Sequence, residues 1–66
     1  MEKAQPQIAA WMKAKKMKQK ELAVILGITP ETVSRLLSGE YTPGETVRKF
    51  VAFVTGLDVA DKGAWK

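Results

Sequence analysis

The stretch Leu-Gly-Ile-Thr-Pro-Glu, from Leu26 to Glu31, tells the chain to end one helix and begin another almost at once. Gly27 can adopt the left-handed conformation that closes a helix. Thr29 is a good N-cap, and Pro30 suits the first helical turn, where its missing N–H has no partner to lose. Ahead of this corner, Leu22, Ala23, Ile25 and Leu26 give an apolar side to a short helix opening near Gln19. Behind it, Val33, Leu36 and Leu37 do the same for a helix ending at Ser38 or Gly39.

The remaining segments are helical too. Ile8, Trp11 and Met12 follow the spacing of one helical face, with Pro6 near its start, and predict a first helix over about 6–16. After the loop-like Gly-Glu-Tyr-Thr-Pro-Gly-Glu, the residues Val47, Phe50, Val51 and Val54 recur at the helical interval and predict a fourth helix ending near Gly56. The tail after Asp58 has room for one more short helix, although Gly63 weakens it. No useful length alternates with period two, and no internal repeat or low-complexity run exists. The expectation is an all-α fold of four or five helices, with residues 1–66 forming a single domain.

Length and composition remove several classes of function. With 66 residues there is no room for a second, effector-sensing unit, so no small-molecule effector is expected. The absence of Cys and His removes thiolate and most zinc sites and the usual catalytic bases. No enzyme activity, cofactor or metal is therefore expected. No apolar run approaches the ~18 residues that cross a bilayer, and the early lysines lack the apolar stretch of a signal peptide. The expectation is a cytoplasmic protein without a membrane partner. The formal charge is +4, and its placement matters more than its sum: six lysines face only Glu2 in the first twenty residues. Such a concentration attracts nucleic acid or an anionic surface, or it is simply a solvated helix end.

Two short helices joined by a Gly-containing corner form a helix-turn-helix, whose second member is the one presented to a DNA major groove. Gln19, Ala23, Gly27, Ile28, Val33 and Leu36 stand where the phage repressor and Cro family asks for Gln, small, Gly, apolar, apolar and apolar. The chain resembles that family from Ile8 to about Leu57, which implies a compact lambda-repressor-like domain that binds operator DNA. Many members of the family pair an Arg in helix 1 with a Glu late in helix 3; Met12 and Leu37 stand at those positions here. Replacing both members of a buried ion pair by apolar groups is often neutral or favourable, so Met12 and Leu37 are expected to touch. Separate packing of each, or exposure of Leu37, is the alternative.

On the recognition helix, Thr29, Glu31, Thr32, Ser34, Arg35 and Ser38 offer donors and acceptors for base edges. Arg35 suits a bidentate contact to guanine, and the resemblance places it where a base-contacting side chain usually stands. Glu31, four residues earlier, either accepts from cytosine or aims the guanidinium, and the second role is favoured. Pro30 has no hydrogen bond to give, which leaves it and Thr29 an apolar touch on a thymine methyl. Phosphate contacts are expected from Lys18, Gln19 and Lys20 at the start of helix 2, with Tyr41 and Thr42 clamping the next phosphates. Tyr41 serves equally well as cover for the core edge.

Phe53 falls off the apolar stripe of helix 4, and Val59 and Trp65 follow with little chain to cover them. Members of the family often dimerise near this end, so these three residues are expected at a homodimer interface, in free solution or only on DNA. The alternative is a tail that folds back onto its own domain. The function expected is a sequence-specific, double-stranded DNA-binding regulator that represses by occupying a palindromic operator. The rival is a protein-interaction module of the antitoxin or antirepressor kind, using the same fold and an apolar tail.

Overall fold

Residues 3–65 are described by the computed structural model; Met1, Glu2 and Lys66 lie outside the described residues. Among the described residues the regular elements are α1 (Ala4–Lys15), α2 (Gln19–Leu26), α3 (Pro30–Ser38), α4 (Glu45–Thr55) and a closing 3-10 turn, Lys62–Trp65. No strand occurs among them. The fold is all-α, as the spacing of apolar residues requires. α1 starts two residues earlier than Pro6 suggests, since proline is tolerated anywhere in a first turn whose N–H groups lack partners.

Three successive helices end in the same way. Beyond α2, Gly27 turns left-handed with φ 71° and the Ile28 N–H donates to the Ala23 carbonyl at 3.0 Å. Beyond α3, Gly39 does so with φ 87°, and Glu40 N–H donates to the Arg35 carbonyl at 3.1 Å. These six-to-one bonds satisfy carbonyls that a helix end leaves orphaned. α1 closes on the same bond, Met17 N–H to the Met12 carbonyl at 2.8 Å, but its left-handed residue is Lys16, with φ 54°. It is the one non-glycine residue with positive φ among those described.

The core draws on every element. Ala4, Ile8 and Met12 come from α1, Leu22 and Ala23 from α2, Val33 and Leu36 from α3, and Val51 from α4. α3 packs against both α1 and α2, while α4 packs on α2. Met12 and Leu37 join this one core, Met12 buried and Leu37 half-buried, with Leu37 lining a crevice alongside Pro6 and Trp65.

Two expectations about the C-terminal half are corrected. Phe50, expected on the inward stripe of α4, is 42 % exposed, and the buried face instead runs through Val51 and Thr55. Thr55 is accommodated because its hydroxyl donates to the Val51 carbonyl at 2.7 Å and accepts from Leu57 N–H at 3.2 Å. Val59 and Trp65, expected at a dimer interface, are buried in the chain's own core. The tail folds back: Trp65 borders a small apolar void with side chains of all four helices, and its indole N–H donates to the Val59 carbonyl at 2.8 Å. Gln5 Nε2 of α1 donates to the Trp65 carbonyl at 3.1 Å and seats the tail from the other side. Burying an indole removes roughly 150–250 Å² from water, a large share of what so small a core can offer.

Candidate nucleic-acid interface

α3 is nine residues long and strongly two-faced. Val33 and Leu36 are buried beneath it, whereas Glu31, Ser34, Arg35 and Ser38 are exposed on the opposite side and Thr32 is half-buried between. The entry to the helix is fixed by Thr29, whose hydroxyl oxygen accepts the Thr32 N–H at 3.1 Å. Replacing such a cap by Ala typically costs ~1 kcal/mol. The Thr29 and Thr32 hydroxyls also share a hydrogen bond of 2.8 Å.

The exposed polar side chains are not equally available. The Ser38 hydroxyl donates to the Arg35 carbonyl at 3.1 Å and accepts from Glu40 N–H at 3.4 Å, so it serves the helix end. The Arg35 Nη2 rests on Glu31 Oε1 at 3.4 Å, with both side chains more than half exposed. A pair of this kind is worth only about 0.2–0.5 kcal/mol, too little to hold the guanidinium against a better acceptor.

Lys18, Gln19 and Lys20 are exposed at the start of α2, where the helix dipole and first-turn amides favour an anion. Lys18 N–H itself donates to Glu21 Oε1 at 3.0 Å, fixing the first turn. Tyr41 and Thr42 lie exposed in the loop after α3, and Tyr41 shares a crevice with Thr32, Arg35 and Glu40. The loop thus stands beside the outward face of α3. Past it, Lys49 Nζ lies 2.9 Å from Glu45 Oε1 in the first turn of α4. That hydrogen bond and the ammonium charge hold the Glu45 carboxyl below the usual carboxylate range.

Sequence periodicity missed Arg48, half-buried in α4 and hydrogen-bonded to the carbonyls of Pro43 and Ala60. The available signal was a lone arginine beside the apolar stripe of that helix. Among the described residues no group of acidic, His or Cys side chains is placed to hold a metal ion, and no helix is long and apolar enough to cross a membrane.

A family model for the helix-turn-helix, of the XRE type with Cro- and C1-like members, matches residues 8–53. No curated protein and no solved structure gives a significant match. The chain belongs to this helix-turn-helix family of DNA-binding regulators.

Proposed function

We propose that the chain is a sequence-specific regulator of transcription that occupies a palindromic operator on double-stranded DNA and represses by occupancy. The observation that carries this reading is the uncovered outward face of α3: Glu31, Ser34 and Arg35 are exposed while Val33 and Leu36 anchor the helix from behind. Arg35 reads a guanine through its major-groove edge, Glu31 aims it, and Thr32 and Ser34 contact neighbouring bases. Lys18, Gln19 and Lys20 anchor one stretch of phosphates, and Tyr41 and Thr42 the next. The other basic side chains of α1 and its turn add a field that is lost as salt rises. Regulation in the cytoplasm then depends on protein concentration and on competition for the operator.

A two-fold pair of subunits is part of this reading, because two recognition helices read two half-sites. With Val59 and Trp65 committed to the core, Phe53, at 84 % exposure, is the member of the three expected interface residues still open to a second copy. The same residue supports the rival reading, a module of the antitoxin or antirepressor kind that docks a protein.

Selection of bound duplexes from a random pool tests the proposal. A palindromic consensus is the expected result, and Arg35→Ala should then relax preference at one base pair per half-site at a cost of about 1–3 kcal/mol. Lys18→Ala should weaken every duplex alike. A pool that stays random after repeated rounds would sink the reading and favour the protein-docking rival.

A further inference from the structure

The loop beside α3 must present Tyr41 and Thr42 with no regular structure of its own, since the backbone from Tyr41 to Gly44 is neither helix nor strand. Contacts made from loose chain are weakened by the entropy lost on ordering it. Yet this loop is held. Pro43 is buried, and its carbonyl accepts a hydrogen bond of 2.9 Å from Nη1 of Arg48, just inside α4. Nε of the same guanidinium donates to the Ala60 carbonyl at 3.0 Å, and the Arg48 backbone N–H donates to the Gly44 carbonyl at 2.9 Å.

Both side-chain partners are backbone carbonyls from separate segments, one in the loop and one in the tail. A guanidinium holds its donors in a rigid plane, so two carbonyls bound to it are kept at a set separation. An ammonium on a flexible stem does not impose that geometry. Ala60 directly follows Val59, whose carbonyl receives the Trp65 indole, so the tail end of the clamp is itself fixed in the core.

We propose that Arg48 is a positioning residue for contact with the DNA backbone: its planar fork locks the Tyr41–Gly44 loop to the tail and holds Tyr41 and Thr42 ready for phosphates. This rests on the DNA-binding reading above. Arg48 acts through the loop and touches no base, so its loss affects cognate and random duplexes alike.

The test compares the wild type, Arg48→Lys, Thr42→Ala and the double variant on the selected duplex and on a random one, across a salt series, with thermal melting followed in parallel. Arg48→Lys keeps the charge and removes the fork. It should weaken both duplexes about 3- to 10-fold, keep their ratio, and leave the salt slope unchanged, because Tyr41 and Thr42 are neutral and the charge at position 48 is kept. Thr42→Ala should cost binding in the wild type and little further in the Arg48→Lys background. Arg48→Gln, which keeps one planar donor group, guards against a variant that fails to fold, and all binding is read well below the melting transitions. Lowered melting with unchanged binding, or strictly additive losses in the double variant, would overturn the proposal by making Arg48 a structural residue only. Wild-type protein that bound neither duplex would overturn the DNA-binding reading first and this inference with it. Normal discrimination by the wild type with no effect of Thr42→Ala would sink the loop's role alone.

Discussion

The indole nitrogen of Trp65 donates to the carbonyl of Val59 across 2.8 Å, and both residues are buried in the core that supports α3. The bond closes the tail on itself while the ring fills space among the four helices. Trp65→Ala should destabilise by about 3–5 kcal/mol, comparable with the whole stability a core of this size supplies, and so leave little folded protein. Trp65→Phe keeps most of the ring but leaves the Val59 carbonyl unpaired, at a cost of about 1–3 kcal/mol. Urea titration followed by far-UV circular dichroism checks both, and an unchanged midpoint for the alanine variant would refute the tail's role.

Lys16 occupies a left-handed conformation, φ 54°, that glycine holds at the ends of α2 and α3. Side chains beyond glycine are strained there by roughly 1–2 kcal/mol, partly offset by the greater freedom of glycine in the unfolded chain. Lys16→Gly should therefore raise stability by about 0.5–1 kcal/mol. A lower melting temperature for this variant would contradict the account of the α1 turn.

Much of this architecture is legible from residue chemistry. Thr29 and Pro30 mark the start of α3, and Gly27, Gly39 and Gly56 mark three helix ends, because each signal is local and steric. The end of α1 is less visible, since nothing in the identity of Lys16 announces a left-handed turn. The outward face of α3 follows from helical periodicity once Val33 and Leu36 are placed inside. Long-range features do not follow in this way. The bonds that join Gln5 to Trp65 and Arg48 to Ala60 link residues no periodic pattern connects. Phe50 sits at a helical interval from Val47 and Val54 yet is partly exposed, because the packing of α4 on α2 decides which arc of α4 is covered.

Glu31 faces the same solvent as Arg35 and lies 3.4 Å from it. Removing its charge should change stability by less than about 0.5 kcal/mol, since an exposed pair contributes little. Glu31→Gln should strengthen binding to random duplexes, by removing repulsion from phosphates, and blur the preference at the base pair that Arg35 is proposed to read. Competition binding with cognate and scrambled duplexes measures both effects, and a sharpened preference would show that Glu31 does not aim the guanidinium.

Phe53 is 84 % exposed and does not join the core. Phe53→Lys should leave the melting temperature nearly unchanged, because exposed substitutions usually alter stability by less than ~0.5 kcal/mol. It should also abolish pairing of subunits, seen as a monomer by sedimentation on duplex DNA and as independent filling of two half-sites. Cooperative filling that survived the substitution would move the subunit contact elsewhere.

The side chains that hold α3 from behind share one interior with Trp65, so a duplex gripping the front of that helix also braces the seat of the tail. Ligand at a hundredfold excess over its Kd adds about 2.7 kcal/mol to the bound form, a substantial fraction of what a molecule of this size possesses. Under the proposed function an operator is a guardian of its own occupant: free copies are expected to open and be cleared by proteases sooner than seated ones, which would couple lifetime in the cell to promoter occupancy. Limited proteolysis with and without cognate duplex would register that protection directly.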